Sequence, residues 1–138
     1  MKRGYLYIEI CISDSWVLPE PLLKNPLFRH PKYHKDSEPE FSPQSRYLPG
    51  DDVISNALLK AAGERGLPPD ISPELLEYYN QTRKAIKTFG KSWMTAQEVE
   101  DYITNHPEDH DFYLKPDWFA KYGKPKEVRA VFWFADLG

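Results

Sequence analysis

The chain has 138 residues, of which 41% are hydrophobic and 28% are charged. This length predicts a single domain over residues 1–138 with enough apolar surface for one core. Its 18 basic and 21 acidic side chains give a net charge of −3, which argues against a nucleic-acid partner. No apolar run reaches the roughly 20 residues of a membrane-spanning helix, so we expect no membrane partner. Cys11 is the single cysteine and excludes an intrachain disulfide.

The first and last apolar segments both predict strands. From Tyr5 to Ile12, leucine and isoleucine alternate with tyrosine, glutamate and cysteine, and this period of two is typical of a strand. Residues 128–134 read VRAVFWF and are apolar on both faces apart from Arg129. A strand buried on both faces normally lies inside a sheet. We therefore expect the two strands to pair and to hold both ends of the fold.

Residues 13–50 are rich in proline and contain seven of the 13 prolines. Proline removes a backbone donor and restrains the residue before it, which disfavours long helices and central strands. The segment also carries large apolar side chains, including Trp16, Tyr33 and Phe41. We predict a long ordered arm across the sheet, with Tyr33 and Phe41 packed on the domain or on a partner.

Two helices are predicted in the middle of the chain. The first begins at residues 51–52 and ends at residues 63–66, because apolar residues recur between them at helical spacing. The second follows Ser72, a favourable N-cap with proline after it, and is predicted to end at Gly90. Glycine permits the left-handed backbone that commonly terminates a helix.

A third helix is predicted after Thr95. Thr95 and Glu98 have the spacing of a capping box, and Pro107 ends the pattern. A short helix or turn is expected over residues 116–122. Together these elements predict an α+β fold in which about three helices cover one face of a small sheet.

Three segments resemble those of a family of small uncharacterised bacteriophage proteins. They read RGLPPDIS at residues 65–72, KSWMTAQEV at residues 91–99 and VRAVFWFADLG at residues 128–138. The resemblance covers about half of the chain and omits residues 13–50. It implies a phage origin and little chemistry. As part of the functional hypothesis below, we expect the protein to act in the host cytoplasm.

Arg129 lies on the same predicted strand face as Trp133. An arginine among aromatic side chains can hold a phosphate or carboxylate with its planar fork, which suggests an anionic, nucleotide-like ligand bound by Arg129, Trp133 and Tyr7. The alternative is that Arg129 pairs with Glu9 across the sheet or extends its charged end into water at a sheet edge. We favour the alternative, because buried arginine usually has a charged partner.

Three further residues are candidates for binding a ligand or partner: Glu9, Trp93 and Arg65. Trp93 precedes the capping box and is expected to pack against the start of the third helix. Arg65 and Asp70 flank the Pro-Pro turn and are expected to pair with each other or to cap the following helix.

The four histidines form two HPxxH pairs, His30 with His34 and His106 with His110. On one side of a helical turn, each pair has a spacing that suits a metal ion. Polar loops in which histidine serves turns and caps are the simpler interpretation, so we expect no metal and no cofactor.

The leading hypothesis is a non-enzymatic phage accessory protein that binds a host protein involved in defence or regulation. Residues 51–138 carry 11 basic and 15 acidic side chains, a net charge of −4 that would suit a basic partner. A small-molecule binding or sequestering protein is the first alternative. A small metal-dependent enzyme that uses the HPxxH pairs is the second.

Overall fold

A computed structural model describes residues 2–19, 45–49, 52–112 and 114–136. Its strands are β1 (Lys2–Ile12), β2 (Ser15–Val17), β3 (Ser45–Pro49), β4 (Lys87–Thr95) and β5 (Val128–Asp136). Its helices are α1 (Asp52–Ala62), α2 (Pro73–Ala85), α3 (Ala96–Asn105) and α4 (Asp117–Ala120), and a 3-10 turn at Pro125–Glu127 leads into β5. The α+β class predicted from the sequence is confirmed.

The described strands form one antiparallel sheet in the order β2-β1-β5-β4, and β3 pairs with β1 on the same side as β2. The pairing of β1 with β5 runs from Lys2 opposite Asp136 to Ile10 opposite Val128. This confirms that the N- and C-terminal strands pair. It also places β5 between two strands, as its apolar pattern predicted.

One face of the sheet packs on α1, α3 and α4. Alternate residues of a strand point to the same face, so Leu6 and Ile8 of β1 share this face with Phe132 and Phe134 of β5. These side chains form a core with buried residues from each of the three helices: Leu58, Val99 and Phe119.

The opposite face is covered by α2, which differs from the prediction that the helices share one face. Tyr5, Tyr7 and Trp133 point to this face, where they pack against Leu75 and Tyr79 of α2. The physical reason is that β5 is apolar on both sides, so both faces of the sheet need cover. Helices on a single face would have left Trp133 in water.

The boundary between α2 and β4 also differs from the prediction of a helix that continues to Gly90. The helix ends at Ala85, and Ile86 is already extended, with φ −140° and ψ 146°. Residues 87–89 pair with β5 instead, and tertiary pairing outweighs the helical spacing of Ile86 and Phe89. Gly90 has φ +65° at an irregularity in the strand, where an added Cβ would lie 3.0 Å from the Phe134 ring.

Both predicted N-caps are confirmed. The Ser72 hydroxyl accepts a hydrogen bond from the Leu75 amide at 3.4 Å. The Thr95 hydroxyl accepts from the Glu98 amide at 3.1 Å, and the Glu98 carboxylate accepts from the Thr95 amide at 3.1 Å. The second pair of bonds is the reciprocal capping box, and it fixes where β4 turns into α3.

Only the two ends of the predicted arm lie among the described residues. They form β2 and β3, and both pair with β1. Tyr33, Phe41, His30 and His34 lie outside the described residues. Among the helices that the structure describes, none has the length and apolar character required to cross a membrane.

Candidate binding site

A buried ion pair joins β1 to β5 on the α2 side of the sheet. Glu9 lies directly opposite Arg129 in the strand register. The Arg129 Nε donates to Glu9 Oε1 at 2.8 Å, and Arg129 Nη2 lies 2.7 Å from the same oxygen. The other Glu9 oxygen accepts from the Ser72 amide at 2.8 Å. The side chains of Glu9 and Arg129 are 0% and 2% exposed, so the predicted cross-strand pair is confirmed.

Asp70 binds the outer side of the Arg129 guanidinium. Arg129 Nη1 donates to the Asp70 carboxylate at 2.8 Å, and Nη2 donates to the Asp70 carbonyl at 3.3 Å. The hydrogen bond from Arg129, aided by a bond from the Trp16 side chain, lowers the pKa of the Asp70 carboxyl. The Asp70 side chain is 63% exposed, so the charge cluster reaches solvent at this residue.

Aromatic rings lie on two sides of Arg129. The guanidinium carbon lies 4.0 Å from the centroid of the Trp16 ring and 5.6 Å from that of Trp93. Trp16 belongs to β2 and Trp93 to β4, which lie on opposite sides of β5 in the sheet order. The Arg65 guanidinium lies 4.8 Å from Trp93. We call this alternating series of Trp16, Arg129, Trp93 and Arg65 the Trp–Arg ladder.

Glu98 neutralises the Arg65 end of the ladder. Two Arg65 nitrogens donate to its carboxylate oxygens at 3.0 and 2.6 Å, and Arg65 Nε donates to the Ala62 carbonyl at 2.8 Å. Because of this bidentate contact, the pKa of Arg65 is raised and the pKa of Glu98 is lowered. The expected pairing of Arg65 with Asp70 is wrong, since each has another partner. Asp70 faces Arg129, and Arg65 reaches the start of α3.

The sequence-predicted residues separate into two groups. Glu9, Arg129, Trp93 and Arg65 come together at the ladder. Tyr7 and Trp133 lie instead beneath α2, where their rings stack at 5.0 Å and both side chains are buried.

Sequence reasoning did not assign a binding role to Trp16, Asp70 or Glu98. The sequence contained one signal for Trp16, the polar pair Ser13-Asp14 directly after β1, which is typical of a turn. In the structure these two residues form the turn of a hairpin, with φ of +51° and +65°. A hairpin with that turn places Trp16 opposite Cys11 and therefore on the Glu9 face. No sequence signal pairs Asp70 with Arg129, because Asp70 lies in the loop before α2 and no strand pattern fixes the path of that loop over the sheet.

A cleft lies at the C-terminal end of α3, away from the residues of the ladder. It has a volume of about 270 Å³ and is lined by residues that include Tyr102, Ile103, His106, His110 and Lys115. The His106 ring stacks on Tyr102 at 4.2 Å, and the Tyr102 hydroxyl donates to Asp109. This bond raises the pKa of Tyr102 to about 12 and lowers that of Asp109.

The predicted metal candidates divide between described and undescribed parts of the chain. His106 and His110 both line the cleft at the end of α3. Within the described ranges, no three His, Cys, Asp or Glu side chains form a group that could hold a metal ion.

Comparisons with known proteins give no relative for this chain. No family model, no curated protein and no solved structure matches it.

Proposed function

We propose that this protein acts without catalysis, by binding a partner protein through a basic surface of that partner. The observation that carries the proposal is that the charged side chains in and beside the Trp–Arg ladder bind one another within the fold. Glu9 and Arg129 bind each other, and Glu9 also accepts a hydrogen bond from the loop before α2. Arg65 binds Glu98. These contacts stabilise the fold, and the most exposed of their carboxylates is that of Asp70, at 63% against 37% for Glu98.

The charge of the chain supports a basic partner. The 11 basic and 15 acidic side chains of residues 51–138 give this part a net charge of −4. Charge complementarity steers association and disfavours partners of like charge. We further propose, from the sequence resemblance, that the protein is a phage accessory protein and that its partner is a defence or regulatory protein of the host cytoplasm.

The geometry gives less support to the alternative of a small anionic ligand on Arg129. The guanidinium is 2% exposed, and the Asp70 carboxylate already accepts from its outer nitrogen at 2.8 Å. An anion would have to displace that carboxylate and would then lie near buried Glu9. Tyr7 and Trp133, the aromatic residues proposed to stack on the ligand, are 3% and 0% exposed.

Affinity capture tests the proposal if the salt dependence of binding and the stoichiometry of the captured complex are both measured. The full tagged chain is incubated with host-cell lysate at low and at high salt, and both protein and small-molecule fractions are analysed by mass spectrometry. We expect one protein with a basic surface, near equal stoichiometry, and release at high salt because ion pairs at a surface are screened. A co-purified anionic small molecule without a protein would contradict the proposal and favour sequestration.

A further inference from the structure

We propose that Trp16 and Asp70 together bind an arginine side chain of the partner protein. The inference rests on the proposed function, because it identifies where a basic partner docks. The site consists of the Trp16 ring at the β2 end of the Trp–Arg ladder and the exposed Asp70 carboxylate bonded to that ladder.

The charge balance of the ladder favours a further cation at this end. Arg129 carries one positive charge against the negative charges of Glu9 and Asp70, so the three side chains have a net charge of −1. Glu9 is completely buried and accepts from Arg129 and from the Ser72 amide. The excess charge is therefore accessible at Asp70, whose side chain is 63% exposed. A cation beside Asp70 would neutralise it without entering the core.

The other end of the ladder shows how such a cation would be held. Trp93 has Arg129 at 5.6 Å and Arg65 at 4.8 Å, and Glu98 binds Arg65 through two hydrogen bonds. Arg65 is thus held by a ring and a carboxylate at a partly exposed position.

Trp16 and Asp70 also combine a ring with a carboxylate, and they already hold Arg129, whose guanidinium carbon lies 4.0 Å from the ring centroid and whose Nη1 lies 2.8 Å from the carboxylate. A partner arginine would lie beside Arg129, on the exposed parts of Trp16 and Asp70. Trp16 is partly exposed, and Arg129 is the only cation that the described residues place over its ring.

The geometry points to arginine rather than lysine. A guanidinium is planar, stacks on an indole face and still presents nitrogens in its own plane to a carboxylate. An ammonium group is a more strongly hydrated point charge that does not stack, so we expect lysine to bind more weakly here. Cation–π contacts and exposed ion pairs each contribute modestly, so a single arginine should bind weakly and serve as one anchor of a larger interface.

The test uses the full ¹⁵N-labelled chain and the probe acetyl-Gly-Arg-Gly-amide. The peptide with citrulline in place of arginine is the neutral control. The protein has four tryptophans, and the indole N–H signal of Trp16 is assigned with Trp16→Phe. We expect the arginine peptide to shift the Trp16 signal saturably and the citrulline peptide to leave it in place.

Two charge variants separate a local site from general attraction. Asp70→Asn keeps an acceptor for Arg129 and removes the charge, and should weaken binding of the arginine peptide about three- to fivefold. Glu77→Gln removes the same charge from an exposed position on α2 and should change binding by less than about twofold. Equal loss in both variants, no Trp16 shift, or equal shifts with citrulline would overturn the inference.

The two proposals fail in different ways. If a basic partner is captured and Asp70→Asn does not weaken it, while the peptide leaves Trp16 unmoved, the docking site is wrong and the proposed function stands. If the peptide binds at Trp16 and no basic protein is captured, the site stands and the proposed function is wrong.

Discussion

Two regions on one face of the sheet are equally buried and are held by different forces. Beneath α2, the Tyr7 ring stacks on Trp133 at 5.0 Å, and Tyr79 meets the indole edge-to-face at 4.9 Å. Further along the same two strands, Glu9 and Arg129 are 0% and 2% exposed and form an ion pair. The first region is stabilised by removing aromatic surface from water, whereas the second depends on donors meeting acceptors.

The difference shows what each region contributes to the fold. A shift of β1 against β5 by two residues in one direction would place Tyr7 opposite Trp133 and still bring ring against ring. A shift by two residues would place Glu9 opposite Val131 and leave two buried charges without partners. Breaking a buried pair costs several kcal/mol, although the intact pair adds little over a hydrophobic one. We infer that the aromatic region supplies stability and the ion pair fixes the register.

The largest expected effect comes from removing one member of the buried pair. Arg129→Met leaves the Glu9 carboxylate buried without its ion-pair partner, and should lower the free energy of unfolding by about 3–5 kcal/mol. Urea denaturation followed by circular dichroism measures the change. The double variant Glu9→Leu with Arg129→Met should recover part of the loss, because no buried charge remains, although the buried Ser72 amide loses its acceptor. Equal losses in the single and double variants would show that the cost does not come from a buried charge without a partner, and the distinction between charge pairing and aromatic packing would be wrong.

A smaller loss is expected when the aromatic region is changed. Trp133→Leu removes buried ring surface and leaves a partly filled cavity, which should cost about 2–3 kcal/mol. The Trp133 indole N–H has no hydrogen-bond partner in the described part of the chain, so its removal adds little. Urea denaturation at low and high salt is the measurement. The loss should be the same at both salt concentrations, and a clear salt dependence would indicate that the Trp–Arg ladder is disturbed as well.

Sequence patterns predicted parts of both regions. Alternation in β1 separated Tyr7 from the leucine and isoleucine face, because strand periodicity acts over neighbouring residues, but the cover of Tyr7 and Trp133 by α2 was not predicted. Glu9 with Arg129 was predictable once the two ends were paired. Asp70 was not, since its contact with Arg129 depends on how the loop before α2 folds over the sheet. The length of α2 was overestimated for a similar reason: residues 87–89 gain more from pairing with β5 than from continuing a helix.

A substitution at the Arg65 end of the ladder should lower the free energy of unfolding less than a substitution in the Glu9–Arg129 pair. Glu98→Ala removes the bonds to Arg65 and one half of the capping box, and should lower the free energy of unfolding by about 1 kcal/mol. Both side chains of the pair are about one-third exposed, so water compensates part of the loss. Glu98→Gln, which retains an acceptor, is the matched control in the same urea assay. A loss as large as that of Arg129→Met would show that exposure does not distinguish the two ion pairs.

The smallest expected effect is a dependence of the free energy of unfolding on pH that arises at Asp70, beside the ion pair, and not in the aromatic region. The hydrogen bond from Arg129 lowers the pKa of Asp70 in the folded chain, so the ionised carboxylate stabilises the fold above the unfolded value of about 3.9. That contribution is lost as the pH falls through the lower folded pKa. Because Asp70 is 63% exposed, it should amount to less than about 1 kcal/mol at neutral pH.

Nuclear magnetic resonance can follow this titration at both regions in one sample. Because Asp70 contacts Arg129 and Trp16, the Trp16 indole signal should move with the carboxyl signal of Asp70 as acid is added. The Trp133 signal should stay in place over the same range, since its ring contacts are aromatic. In Asp70→Asn the Trp16 movement should disappear, whereas Asp109→Asn, which removes another carboxyl with a lowered pKa far along the chain, should preserve it. Movement of Trp133 together with Trp16 would mean that the two regions respond as one unit, and the separation between packing and charge pairing would then be wrong.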